Sequence, residues 1–172
     1  MDRSAMADQP AIHLDDIIIR PAQAEDLPEI GALWEKLVGY HAALDAAMPR
    51  ASIGGADRYA DRIGSQLDDP YSRVIVATHG GRLVAFVIGV IMDMTPEMFE
   101  PETNGFLADI FVEEAYRGTG VGRRIVSALG DWFKSRGVTR MEWYVAARNQ
   151  SGRAFWQSLG GREIMLRMRL DL

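Results

Sequence analysis

The chain of 172 residues has a formal net charge of −5, and hydrophobic residues make up 48% of it. This length and composition suit one globular domain with a packed core, rather than a disordered or fibrous protein. The sequence contains no cysteine, which excludes disulfides, thiolate metal ligands and a cysteine nucleophile. The acidic balance argues against nucleic-acid binding, which normally requires a basic domain.

Targeting signals are not evident in the sequence. The longest strongly apolar run, 83–92, is far shorter than the roughly 20 residues that a membrane-spanning helix needs. Residues 1–11 lack the apolar region of a secretory signal, so we expect a cytoplasmic protein that does not insert into a membrane. Residues 1–14 show no sustained periodicity and are predicted to be a flexible leader, followed by a single domain over 15–172.

Charge is distributed unevenly along the chain. Residues 1–100 carry 16 acidic and 8 basic side chains, whereas residues 101–172 carry 8 acidic and 11 basic ones. A locally basic half suits a polyphosphate ligand, and an acidic half could attract a cationic amine. Unevenly charged solvated faces are the alternative interpretation.

Hydrophobic periodicity predicts ten elements of secondary structure. Alternating or β-branched runs indicate strands, apolar residues at helical spacing indicate helices, and glycine or proline clusters separate them. In chain order the predictions are strand 17–19, helices 26–38 and 57–67, strands 73–78, 82–94 and 105–112, helix 120–136, strand 140–145, helix 149–159 and strand 162–170. Asp26 is the expected N-cap of the first helix, and residues 94–104, with two prolines, are predicted as a loop.

This order of elements predicts an α/β fold of the mixed α+β type. Early hairpins and later strand–helix–strand units imply a central mixed sheet of six to seven strands, with helices on both faces.

A glycine-rich segment stands directly before the helix predicted at 120–136. It reads Arg117-Gly118-Thr119-Gly120-Val121-Gly122-Arg123 and follows a strand that ends at Val112. Alternating glycines expose successive backbone N–H groups, and a helix N-terminus adds unpaired donors and a partial charge of roughly +0.5. The arginines add formal positive charge. The segment therefore predicts a binding site for an anionic phosphate group.

Two other kinds of phosphate loop do not fit these residues. A dinucleotide fingerprint that begins at Gly118 or Gly120 needs glycine at position 123 or 125, where Arg123 and Ile125 stand. A nucleoside-triphosphate loop needs a wider glycine spacing and a lysine. A glycine-rich turn without a ligand is the other alternative.

With this segment the chain resembles the GNAT superfamily of acetyl-CoA-dependent N-acetyltransferases. The family signature R/Q-x-x-G-x-G/A is matched by Arg117, Gly120 and Gly122. The later segment 149–160, which begins with asparagine and ends in Leu-Gly, is similar to a second family segment, and the order of elements over about residues 17–170 also agrees. The resemblance implies a GNAT-like single domain that uses acetyl-CoA as co-substrate and acetylates a primary amine.

The resemblance also implies which residues contact the coenzyme. The pantetheine arm would lie like an added strand, where the strand of Ile110 separates from that of Trp143. Backbone groups of Ile110, Phe111 and Val112 would hold this arm. Backbone N–H groups of Arg117, Gly118, Thr119, Gly120, Val121, Gly122 and Arg123 would hold the diphosphate. Asn149 would lie on the coenzyme's other side.

Catalytic groups follow less directly from the family pattern. Where many relatives have a tyrosine that protonates the leaving thiolate, this chain has Trp156, which also suits the core. A carboxylate base is expected near the middle of the strand before Val112, but position 108 is alanine, and Asp109 is the nearest candidate. A structural aspartate bonded to the backbone is the alternative. Further candidate carboxylates are Glu113, Glu114 and Glu142.

Two classes of function fit these residues: an N-acetyltransferase, and a catalytically degenerate acyl-CoA-binding sensor or regulatory domain. The sequence does not identify the acceptor amine, whose site is expected to include Trp34, Tyr40, His41 and the stretch to Pro70. The three histidines form no metal-binding motif, so no metal site is predicted. A homodimer formed through the last strand is a further arrangement that the sequence allows.

Overall fold

The computed structural model of the chain describes residues 12–93, 98, 100, 102–170 and 172. Within these residues five strands form one sheet, in the order β1 (Ile17–Pro21), β2 (Ser72–His79), β3 (Arg82–Asp93), β4 (Thr103–Val112) and β5 (Met141–Trp143). Its α-helices are α1 (Leu27–Leu44), α2 (Gly55–Gly64), α3 (Val121–Ser135) and α4 (Gln150–Ser158). Neighbouring strands from β1 to β4 are antiparallel, and β4 and β5 are parallel.

The mixed α/β fold predicted from the sequence is confirmed, but the number of strands is lower than the six to seven expected. Segment 162–170, predicted as the last strand, is not a strand, and its main chain makes no backbone hydrogen bond with another described residue. Period-two alternation predicts the two faces of a strand, but it does not by itself determine whether the segment pairs with a neighbouring strand. Most of the predicted loop 94–104 lies outside the described residues, as do residues 1–11 of the predicted leader.

Asp26 does not cap α1 through its side chain, contrary to the sequence-based expectation. Its carboxylate accepts two hydrogen bonds from the Arg20 guanidinium, at 2.6 and 2.8 Å, and one from the Gln23 N–H at 2.8 Å. The bond from Arg20 lowers the pKa of Asp26. The difference from the expected cap has a tertiary cause, because Arg20 lies on β1 and contacts Asp26 from there.

Helices cover both faces of the sheet. On one face, α3 packs Val121, Ile125, Leu129 and Phe133 against the sheet. On the other face, α1 and α2 pack a second cluster around Phe86, which includes Ile30, Leu33, Tyr59 and Ile63. Helical spacing of apolar residues explains both contacts, since each helix has one apolar face to bury.

A β-bulge interrupts β4 at Ala108. Asp109 lies opposite Ile88 of β3 and Leu107 lies opposite Gly89, so Ala108 is an extra residue on β4. Such an insertion bends its strand and increases the local twist. The parallel pairing of β4 with β5 covers only residues 105–107 of β4. Beyond the bulge, the β5-facing edge of residues 108–112 pairs with no described strand, and a cleft opens there.

Candidate functional site

A cleft of about 530 Å³ lies where β4 and β5 separate. Residues 107–112 of β4 form one wall, and the glycine-rich segment forms the end next to α3. Tyr40 and His41 of α1 line the cleft opposite, and Asn149 lies at the start of α4. The structure thus brings residues from both predicted coenzyme segments to one cleft.

The glycine-rich segment forms a turn that exposes main-chain donors. Gly118 and Gly120 have φ angles of +77° and +99°, a region that side chains with a Cβ rarely adopt. The first backbone bond of the α3 turn runs from the Arg124 N–H to the Gly120 carbonyl, at 3.1 Å. The N–H groups of residues 118–123 donate to no backbone oxygen of the described residues. A row of free amides at a helix N-terminus fits the diphosphate of a coenzyme A thioester.

Several side chains of the glycine-rich segment contact other parts of the protein. Val121 is fully buried in the core, and the Thr119 hydroxyl donates to the Tyr116 carbonyl at 2.7 Å. These two residues therefore offer only their main chain to a ligand. The Arg123 guanidinium lies near Ser158, 3.4 Å from its carbonyl and 3.3 Å from its hydroxyl oxygen.

Arg117 lies over the cleft wall. Its Nε donates to the Val112 carbonyl at 3.0 Å, and its guanidinium lies 4.8 Å from the centroid of the Tyr40 ring and 5.4 Å from that of Phe111. The Glu113 N–H donates to the Val84 carbonyl of β3. Successive residues of a strand direct their N–H and C=O groups to opposite sides, so those of Val112 face the unpaired edge of β4. Arg117 therefore bonds to the Val112 carbonyl oxygen, which a ligand lying along this edge like an added strand would use as an acceptor.

Asn149 is the N-cap of α4. Its Oδ1 accepts from the Gly152 N–H at 2.9 Å and from the Ser151 hydroxyl at 3.1 Å. It also accepts from the Tyr40 hydroxyl at 3.3 Å, which links α1 to the start of α4 across the cleft. Asn149 therefore has a structural role in addition to the coenzyme contact that remains a prediction.

Asp109, the sequence-predicted base, lies at the cleft on the face of the sheet that α1 and α2 cover. Its Oδ2 accepts from the Tyr59 hydroxyl at 2.9 Å. Burial raises the pKa of Asp109, and the bond from Tyr59 partly offsets this effect. Burial and the neighbouring Asp109 charge also raise the pKa of Tyr59, so the phenol remains a hydrogen-bond donor. A carboxylate in this environment accepts a proton more readily than an exposed one.

Sequence reasoning missed Tyr59. Tyr59 lies on the apolar face of α2, a position typical of a core residue. Its ring stacks on that of Trp34, with centroids 4.7 Å apart and an interplanar angle of 13°. Asp109 directly follows the β4 bulge, and its carboxylate contacts the Tyr59 hydroxyl. The pairing of a helix residue with a strand residue 50 positions away leaves no local signal in the sequence.

The other candidate carboxylates do not line the cleft. Glu113 forms an ion pair with Lys36, Glu114 is exposed, and Glu142 lies on β5. Trp156 is 7% exposed, and its ring centroid lies 4.4 Å from that of Trp143, which supports its reading as a core residue at the cleft wall. Burial lowers the pKa of His41, which favours the neutral imidazole.

The described residues contain neither a cluster of metal ligands nor a membrane-spanning helix. No three of their His, Asp or Glu side chains converge as the ligands of a metal ion would. None of the helices in the described ranges combines the length and the apolar character needed to cross a bilayer.

The sheet, its separated strands and the amide-lined turn define the architecture of an acyl-coenzyme A-dependent transferase. The model of the acetyltransferase (GNAT) family matches residues 35–160. The chain belongs to that family, which confirms the resemblance recognised in the sequence.

The chain is also similar in sequence to a curated relative and similar in fold to solved structures. N-alpha-acetyltransferase RimI of Mycobacterium tuberculosis is 34% identical over 104 residues, which cover 60% of this chain and 61% of RimI. A mutant of the BH1408 protein from Bacillus halodurans has a similar fold, with a TM-score of 0.82, 24% identity and coverage of 90% of this chain and 99% of its own. A predicted acetyltransferase from Clostridium acetobutylicum, solved with acetyl-CoA, has a TM-score of 0.72 at 14% identity, with coverage of 90% and 96%.

Proposed function

We propose that this chain is an N-acetyltransferase that moves the acetyl group of acetyl-CoA directly to a primary amine. The observation that carries the proposal is the row of free amides at residues 118–123, next to the unpaired edge of β4 and within the family-matched range. Free amides suit the diphosphate, and the strand edge suits the amide-containing pantetheine arm. The proposed domain is 15–172 and the proposed location is the cytoplasm.

The residues of the cleft support transfer in a ternary complex. The thioester supplies an activated acyl carbonyl. The Val112 N–H, which faces the free edge, would donate to the oxygen that gains negative charge as the amine attacks, and losing one such donor typically costs about 10²–10³ in rate. Asp109, acting through a water molecule, would remove the proton that keeps the amine unreactive. As the C–S bond breaks, the departing thiolate would take a proton from water or from the positively charged nitrogen of the tetrahedral intermediate, which leaves the neutral amide, since Trp156 is no acid.

Arg117 must change its contacts when the arm binds. Its Nε holds the Val112 carbonyl, so a ligand strand has to displace that bond. The freed guanidinium then becomes available to the phosphates at the same end of the cleft. Charge-assisted bonds of this kind are about twice as strong as neutral ones.

An acyl-CoA-binding sensor is the alternative function. It would share the amide-lined turn at residues 118–123, here called the cradle, but would have no catalytic base. The position of Asp109 at the cleft, with a raised pKa and a Tyr59 donor, favours the enzyme. The acceptor side contains Tyr40 and His41, which do not identify one amine. The decisive measurement is thiol release from acetyl-CoA with a panel of small amines, amino acids and peptide N-termini, because a sensor binds acetyl-CoA and releases no thiol with any of them.

The cradle is tested by the same substitution at two glycines of α3, of which Gly122 has close neighbours, with the Phe155 ring 3.3 Å from a Cβ at that position. Gly122→Asp places a carboxylate in the first helical turn, where it favours the helix dipole but repels a diphosphate. Gly130→Asp places the same group in the middle of α3, where a Cβ meets no atom within 4 Å. By calorimetry we expect acetyl-CoA to bind Gly122→Asp at least about tenfold more weakly, which corresponds to about 1.4 kcal/mol, and Gly130→Asp like the native chain. Equal affinities in all three proteins, or no binding to the native chain, would refute the proposed cradle.

A further inference from the structure

In the described part of the chain, the acidic first half contributes no carboxylate to the cleft. The residues of 1–100 that line it are Leu37, Tyr40 and His41, all on α1. Burial lowers the pKa of His41, so this wall of the cleft is uncharged at neutral pH. The acidic side chains that lie between residues 12 and 93 are therefore outside the cleft and do not form a binding site for a polycationic amine within it.

Of the described residues that line the cleft, Asp109 alone carries a carboxylate. Its Oδ2 already accepts a hydrogen bond from the Tyr59 hydroxyl, at 2.9 Å. The two arginines of the lining, Arg117 and Arg123, belong to the glycine-rich segment, where a coenzyme diphosphate would compensate their charge. Asp109 is thus the group left to compensate the ammonium of an acceptor, and it can compensate one positive charge.

Two further carboxylates follow elements that form the cleft, and both are already paired with cations. Glu113, directly after β4, forms an ion pair with Lys36 of α1. Asp45, directly after α1, forms an ion pair with Arg148 at 3.3 Å. A charge that leaves water without a partner is strongly unfavourable. A second ammonium on the acceptor would therefore find no carboxylate in the described lining of the cleft.

Apolar and aromatic side chains form another part of the lining. Leu37 of α1 and Leu107 of β4 line the cleft, as does the exposed Tyr144 directly after β5. The Tyr144 ring lies edge-on to that of Phe106, with centroids 5.5 Å apart. Such side chains provide most of the surface that binds organic groups in pockets, and a tyrosine ring face attracts a single ammonium. This surface suits an amine carried on an apolar group.

We infer that the acceptor of the proposed acetyltransferase is a monocationic amine carried on an apolar group, with Asp109 as the partner of its one ammonium, and that polycationic amines are poor substrates. The inference rests on the proposed function, because it names the acceptor class of that same site. It also answers the expectation from charge distribution, since the acidic half of the chain does not supply the cleft with carboxylates.

Matched pairs of amines test this inference on the native protein. Pentylamine and putrescine have the same chain length and differ only in a terminal methyl group against a second ammonium. Two tripeptides, one beginning with leucine and one with lysine, give the same comparison for a peptide N-terminus. With thiol release from acetyl-CoA as the readout, kcat/KM should be at least about tenfold higher for the monocationic member of each accepted pair, because the second charge loses hydration without gaining a partner.

The outcomes separate the acceptor class from the function itself. Equal kcat/KM within the accepted pairs, or a preference for the dicationic members, would overturn the inference and leave the acetyltransferase function intact. Binding of acetyl-CoA measured by calorimetry, without thiol release for any amine, would overturn the function and the acceptor class together.

Substitutions in α1 provide a second test. His41→Glu adds a carboxylate to the cleft wall, so the ratio of dicationic to monocationic kcat/KM should rise about tenfold. Ala43→Glu adds the same charge at an exposed position of α1 outside the cleft lining and should change this ratio much less. His41→Gln keeps the wall uncharged and should retain the native ratio. An equal rise in both glutamate variants would show that overall charge sets the preference, which would contradict the inference.

Discussion

Asp109 and Tyr59 form the most informative pair of side chains at the cleft. Burial raises the pKa of Asp109 above its ordinary value of 3.8, and the Tyr59 hydrogen bond opposes that shift. A base must be ionised to accept a proton, so the rate should fall as the pH drops through the raised pKa. The acid limb of the pH–rate profile should therefore lie at higher pH than that of an exposed aspartate.

Substitutions of this pair should affect the pH profile in a predictable order. Asp109→Asn should lower kcat/KM by about 10²–10⁴ and remove the acid limb, because the amide cannot accept the proton. Tyr59→Phe should move the limb to higher pH, since it deletes the bond that favours the ionised carboxylate. Steady-state kinetics across pH with any accepted amine would measure both effects.

A control keeps these effects apart from a general change in surface charge. Glu113→Gln also removes a carboxylate, but one that pairs with Lys36 and does not line the cleft. It should leave the position of the acid limb unchanged. If Asp109→Asn retains the native limb and rate, Asp109 is a structural aspartate.

At the scale of the elements, the position of α3 depends on two glycines of the sheet. A Cβ on Gly105 would lie 2.7 Å from Phe133, and one on Gly89 would lie 2.5 Å from Leu129. Both distances are shorter than real Cβ contacts. The missing side chains thus let α3 approach β3 and β4 closely, which sets the N-terminus of this helix beside the cleft.

Gly105→Ala should consequently destabilise the fold by about 1–3 kcal/mol, the usual cost of overpacking a core. Phe133→Leu should also be destabilising alone, because it removes buried contacts. In the double variant the smaller side chain makes room for the new methyl group. Its loss in free energy of unfolding should therefore be smaller than the sum of the losses of the two single variants. Denaturant unfolding of the four proteins measures this coupling, and strict additivity would contradict the proposed close contact.

At the scale of the whole molecule, the cleft joins parts that are distant in sequence. It combines α1 from the acidic first half with the cradle and α4 from the basic second half. A ligand that binds there only in the folded state raises the free energy of unfolding through mass action.

Acetyl-CoA at 100 times its dissociation constant should therefore stabilise the native chain by about 2.7 kcal/mol. Thermal unfolding followed by circular dichroism, with and without acetyl-CoA, would show this as a higher midpoint. The rise should persist in Gly130→Asp and be reduced at the same ligand concentration in Gly122→Asp. A midpoint that acetyl-CoA leaves unchanged in the native chain would contradict binding of acetyl-CoA to the folded protein.

Local patterns in the sequence predicted most of the fold. Apolar periodicity in α3, alternation in β2 and the apolar run of β3 are properties of neighbouring residues, which is why those elements appear close to their expected limits. Helix α1 begins as expected but extends to Leu44, beyond its expected end at residue 38. The strand predicted at 162–170 is not formed, since alternation describes the two faces of a segment and not its pairing with a neighbouring strand. The capping role of Asp26 failed because Arg20 competes for its carboxylate.

For this protein the sequence alone determined the family resemblance and the mixed α/β class, and it predicted a phosphate site at 117–123, since glycine spacing and helix starts are local features. Only the tertiary structure decided that Ala108 forms a bulge, that β4 and β5 part beyond Leu107 and that Tyr59 reaches Asp109. These features arise where strands and helices far apart in the chain meet, and the free energy of such contacts depends on packing that no short stretch of sequence contains.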